Sequence, residues 1–134
     1  MKNFVSLFLS VLFVGGCMSM KKTENSHVYF ANLKDGEVVK SPLNIKFGVK
    51  GMKVVPAGKL VDGTGHHHLL IDAKPVKQGK VIPKDKSHIH YGDGQTEDTV
   101  ELSKGKHTLM LQFADGAHRS YGEKLRATIN VTVE

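Results

Sequence analysis

"KLRATINVTVE", residues 124–134, alternates Leu125, Ala127, Ile129, Val131 and Val133 with Arg126, Thr128, Asn130 and Thr132. Successive side chains of an extended chain point to opposite faces, so one side of this segment is apolar and the other polar. It predicts a half-buried strand. The same period recurs upstream. "SPLNIKFGV" (41–49) turns Leu43, Ile45, Phe47 and Val49 one way and Asn44, Lys46 and Gly48 the other. "HVYFANL" (27–33) aligns Val28 with Phe30, "DTVELS" (98–103) aligns Val100 with Leu102, and "GKHTLMLQFAD" (105–115) aligns Leu109, Leu111 and Phe113.

No window of comparable length keeps apolar residues at helical spacing. Turn signals separate the strand segments: "KDGE" (34–37), "KSP" (40–42), "VDGTG" (61–65), "GDG" (92–94), "SKGK" (103–106) and "ADG" (114–116). About seven short strands joined this way predict an all-β chain, an immunoglobulin-like or fibronectin-like β-sandwich. The stretch "DGEVVKSPLNIKFGVKG" (35–51) also resembles the opening strands of many bacterial immunoglobulin-like modules. Residues 73–95, rich in Lys, Pro and Gly, are expected to form a long loop excursion.

The N-terminus has another character. Met1-Lys2-Asn3 precedes "FVSLFLSVLFVGG" (4–16), an apolar stretch too short for a stable bilayer anchor. It reads as a signal peptide. In "LFVGGCMS" the lone cysteine, Cys17, directly follows Gly15 and Gly16, which resembles the lipobox of bacterial lipoproteins. That resemblance implies a lipidated Cys17 as mature N-terminus and a membrane held through the lipid anchor; the alternative is a plain secretory signal. Met18, in place of an aspartate, resembles lipoproteins sorted to the outer membrane, facing the periplasm. The expected organisation is a signal peptide over 1–16, a lipidated cysteine and polar tether over 17–26, and a single β-sandwich domain over 27–134.

An exported chain with one cysteine has neither an internal disulfide nor a thiolate metal site to rely on. The net charge of +6 is spread along the chain, without a block of like charges or interleaved aromatics. Nucleic acid is therefore not an expected partner. Attraction to anionic polymer at the cell surface remains open, and solubility is the plainer reading.

Five of the chain's eight histidines fall in two stretches: "GTGHHHLLID" (63–72) and "SHIHYGDGQTE" (87–97). If 66–72 is extended, His67, Leu69 and Ile71 share one face while His66, His68 and Leu70 share the other. His88 and His90 likewise face the same way across Ile89. Neutral imidazole suits Cu²⁺ and Zn²⁺, and two such pairs brought together offer four nitrogens. The alternative is ordinary: loop histidines on a basic domain, with His67 packed beside Leu69 and Ile71 and its ring satisfied by a backbone carbonyl. His107, in phase with Leu109, reads as the wet end of a core face.

"FADGAHRSYGE" (113–123) adds His118, Arg119 and Tyr121 at a loop after a tight Asp115-Gly116 turn. Arg119 suits a carboxylate or phosphate, His118 a fifth metal donor, and Tyr121 either a ligand contact or packing on the sheet. Glu97 is a candidate ligand, or a group that orients a histidine. Taken together, "GMKVVPAGKLVDGTGHHHLLID", "HIHYGDGQTE" and "GKHTLMLQFADGAHRSYG" resemble a family of small exported bacterial proteins known as a domain of unknown function, over most of residues 27–133. The resemblance implies that these histidines are signature residues of one site. It implies no activity.

Three functions compete. One is a non-enzymatic metal-binding lipoprotein holding copper or zinc through His66, His68, His88 and His90, with His118 as a further donor. Another is an adhesion or scaffold domain presenting Arg119, Tyr121 and lysines to an envelope protein or cell-wall polymer. The third, a metal-dependent hydrolase or dismutase, would need an open coordination position and a base, for which Glu97, Asp93 and Asp72 stand near in sequence. No nucleophile turn, His-Glu-x-x-His helix or phosphate-cradling glycine loop supports that third reading.

Overall fold

A computed structural model describes residues 25–134 of the chain; Cys17 and the leader before it lie outside the described residues. The described residues fold into nine strands and one short 3-10 turn, Glu123–Leu125. They are β1 (His27–Phe30), β2 (Glu37–Val39), β3 (Leu43–Lys50), β4 (Lys53–Val54), β5 (Thr64–Ile71), β6 (His88–His90), β7 (Glu97–Val100), β8 (Gly105–Ala114) and β9 (Arg126–Val133). The alternating segments all become strands. The two elements beyond the expected seven, β2 and β4, are three and two residues long, too short for an alternating pattern to register.

Two sheets face each other, as an all-β sandwich requires. One has the order β1-β3-β7, and the other β2-β9-β8-β5-β4 with β6 added against β5. Val28, Ile45, Phe47 and Val100 from the first sheet meet Leu69, Leu109, Leu111, Phe113, Ile129 and Val131 from the second in one buried core. These are the apolar faces that the period-two pattern marks.

The middle of the larger sheet is covered on its other side as well. β5 and β8 are antiparallel, with His66 opposite Ala114, His68 opposite Gln112 and Leu70 opposite Met110. An arm running through residues 73–85 returns over this second face. There Ile82 packs with Leu70, Met110 and Ala114 in a small apolar cluster of its own, flanked by Ala73 and Val76. Consequently β5 is buried on both faces from Gly65 to Leu70. Among the described residues no helix is long and apolar enough to cross a membrane.

Candidate metal centre

Strand geometry divides the three consecutive histidines. His67 points into the core, its ring 5.4 Å from Phe47 and 5.0 Å from Phe113 between centroids. His66 and His68 point to the other face, beneath the arm, and all three are fully buried. The expected backbone carbonyl at His67 is not there: neither of its ring nitrogens has a hydrogen-bond partner among the described residues. Aromatic rings surround it, and they offer no acceptor.

Antiparallel pairing of β5 with β6 sets His68 opposite His90 and Leu70 opposite His88. His90 therefore joins the pair on β5. His88 shares the face but stands one repeat further along, and its Nδ1 lies 2.7 Å from Asp85 Oδ1. It falls outside the cluster. The remaining member is His118, on the loop that follows β8. Ala114, opposite His66, is small, and the chain turns back immediately after it, so that His118 Nδ1 comes within 3.2 Å of His66 Nε2.

The result is a group of four imidazoles, His66, His68, His90 and His118, each offering one nitrogen, with all four nitrogens within 4.8 Å of one another. Centroid separations run from 4.7 Å for His66–His68 and His90–His118 to 6.3 Å for His68–His118. A tetrahedral ion with nitrogen ligands at about 2.0–2.1 Å sets its donors roughly 3.4 Å apart, so small side-chain rotations bring this group onto one ion. His66 Nδ1, His68 Nδ1 and His90 Nε2 are buried and have no hydrogen-bond partner among the described residues. Buried polar atoms are ordinarily satisfied, and leaving one unpaired costs about 1–3 kcal/mol.

Electrostatics keep the rings of His66, His68 and His90 neutral. Burial, followed by the charges of the other histidines, lowers His66 to about 4 and His68 to about 3. Burial and then His118 also lower His90. At neutral pH their nitrogens carry free lone pairs, the form a metal takes.

Several devices fix the cluster. Gly92 lets the chain pass His90 closely; a Cβ there would stand 2.6 Å from its Nε2. His118 has φ 65, in the left-handed region that is uncommon for residues other than glycine. Asp115 holds the loop in that shape, accepting from the amides of Ala117 and Arg119 at 2.9 and 3.0 Å and from Arg119 Nε at 2.9 Å. Burial pulls the Asp115 carboxyl up, yet these donors leave it below its ordinary value. Gln112, fully buried beside His68, accepts from Val76 N and donates to Val76 O and Ser120 Oγ. It ties the covering arm and the His118 loop to the sheet at one point. Nothing in the alternating pattern of "GKHTLMLQFAD" marks it beyond a polar residue in mid-strand.

The other candidates lie elsewhere. Arg119 is exposed and engaged by Asp115. Tyr121 donates to Thr64 O at 2.7 Å and stacks on Phe113, the packing alternative. Glu97 is exposed on β7 in the other sheet, opposite Lys46. A separate trio brings Asp72, His107 and Ser103 together: His107 Nδ1 is 2.7 Å from Asp72 Oδ2, and Nε2 is 2.8 Å from Ser103 O. The Ser103 hydroxyl also lies 3.2 Å from Nε2, and the hydrogen bond to Asp72 raises this histidine's pKa.

Fold and site together define a small β-sandwich with an all-imidazole cluster beneath a loop arm. Residues 45–134 match the family described as Domain of unknown function (DUF4399), and the chain belongs to that family. No curated protein and no solved structure matches it.

Proposed function

We propose that this domain binds one transition-metal ion, copper or zinc, through His66, His68, His90 and His118, without catalysing a reaction. The observation that carries this reading is the convergence of four imidazoles from three chain segments, with buried nitrogens left unpaired. Four nitrogens and no sulfur or carboxylate suit Zn²⁺ or Cu²⁺ over Ca²⁺ or Mg²⁺. Cys17 is proposed as the lipid attachment point, which would hold the domain at the outer membrane facing the periplasm. A role in adhesion through Arg119 and Tyr121 draws less support, because Asp115 and Thr64 already engage those side chains.

The test is calorimetric titration of residues 25–134 with Zn²⁺ and Cu²⁺, with elemental analysis of the dialysed product. One ion per chain is expected. His90→Ala and His118→Ala, at half-buried positions where folding is retained more readily, should each weaken binding by at least about tenfold. A folded wild-type domain that retains neither ion would end the proposal.

A further inference from the structure

The four histidines are not equally covered. His66 closes the floor of the cluster, while His68, His90 and His118 line a cleft of about 420 Å³ whose other wall is Ile82, Pro83 and Lys84, with the exposed Val81 at its rim. An ion held by this group is backed by protein on the His66 side and faces open volume on the other. A small molecule has room to reach it.

Charge decides what kind of molecule. Thiolate or carboxylate ligands would cancel part of a divalent ion's charge, whereas four neutral imidazoles cancel none. The ionisable groups around the cluster leave the balance positive. Lys84 lines the cleft and its charge acts on His90; exposed Asp93 acts on His90 with opposite sign. Asp115 acts on His66, but its carboxylate is already taken by Arg119 and two backbone amides. No carboxylate belongs to the group of converging donor atoms. The local sum is close to the ion's own two positive charges, in a site where the surrounding protein screens poorly.

We infer that the metal-loaded site takes up a small monovalent anion, inorganic or carboxylate, on the cleft side of the ion, with Lys84 as its second anchor. This rests on the reading of the four histidines as a metal centre. The anion donates a lone pair to the ion and lies against the Lys84 ammonium; no bond within the protein changes. The anion joins the four nitrogens as a fifth ligand, on the side of the ion that the cleft leaves open.

Azide is the probe. The domain, loaded with one equivalent of Cu²⁺ or Zn²⁺ and freed of excess, is titrated with azide and followed by heat, and with Cu²⁺ also by the azide-to-copper charge-transfer absorption. Saturable 1:1 binding that is absent from the metal-free domain is expected. Exposed charges contribute modestly, so Lys84→Ala should weaken azide about threefold and Lys84→Glu roughly tenfold, with metal stoichiometry unchanged. Chloride and acetate as competitors then separate an inorganic from a carboxylate ligand. Retention of metal with no azide uptake overturns this inference and leaves the metal centre standing. Azide uptake seen only in Asp93→Asn also overturns it, since Asp93 would then be the ligand. Failure to retain any metal removes both.

Discussion

Replacing Gly92 by alanine tests the site without touching a ligand. A Cβ at that position would stand 2.2 Å from His90 Cε1, 2.6 Å from Nε2 and 3.1 Å from Nδ1. Carbon atoms settle at about 3.5 Å or more, so the imidazole must move by roughly 1.3 Å or rotate away. Metal ligation tolerates errors of only about 0.5 Å. The backbone itself has no objection, because Gly92 is not among the glycines with positive φ. The clash falls on the far end of one side chain, which is free to swing into the cleft. Metal affinity should therefore drop about 10- to 100-fold, the range seen when a ligand's support is lost, while the fold survives. The measurement is competition for Zn²⁺ against a chromophoric chelator, alongside a thermal melt of the metal-free protein. In a His90→Ala background the Gly92→Ala change should have no further effect on affinity, since its target is gone. Unchanged affinity in the single variant, or full additivity in the double, would refute the placement of His90 at the ion.

Further expectations concern the groups around the cluster. Gln112→Leu removes the hydrogen bonds to Val76 and Ser120, leaving Val76 N without its partner and Val76 O with only the Ser120 hydroxyl; urea denaturation should show a loss of about 1–3 kcal/mol. His67→Leu replaces a buried ring that has no partner by an apolar side chain of similar size, and should stabilise the metal-free domain by about 1 kcal/mol or more without altering metal affinity. The metal-free domain should also be acid-sensitive. His66, His67 and His68 have folded values of about 4, 4 and 3 against 6.5 unfolded, so the unfolded chain binds more protons below pH 6.5. Stability is then full above pH 6.5 and falls as the pH drops toward 4, which melting curves across that range will record; a flat profile would contradict the burial of these rings.

Much of this fold is legible in the sequence because one physical constraint, a strand with one face in the core, writes itself as a period of two. Val131, Ile129, Leu111 and Ile45 are buried where alternation puts them. The site is legible to the extent that it obeys the same rule. His66 and His68 share a face because they are two residues apart, and His90 meets them because a hairpin-like pairing keeps opposite residues on one side. His88 obeys the parity rule too, yet register sets it opposite Leu70, and register is fixed by long-range pairing that no local pattern encodes. The inward turn of His118 depends on a left-handed residue in a loop braced by Asp115, for which "FADGAHRS" gives only the tight turn.

The covering arm explains why a histidine cluster here differs from histidines on an open sheet. Were residues 73–85 absent, His66 and His68 would lie on the solvated face of an antiparallel sheet, titrating near their ordinary value and satisfied by water. Ile82 and Val76 instead pack onto Leu70 and Met110 and exclude solvent, and Gln112 fixes the arm's backbone to the sheet beside His68. The arm has no periodicity, because it pairs with the rest of the protein through isolated contacts such as Ile82 N to His118 O, 2.9 Å, and Ser120 N to Lys80 O, also 2.9 Å. Those two bonds join the arm to the very loop that carries His118. The arm and the fourth imidazole are thus held by the same bonds, and a change that loosens the arm, such as Gln112→Leu, should weaken metal binding together with stability, not one without the other.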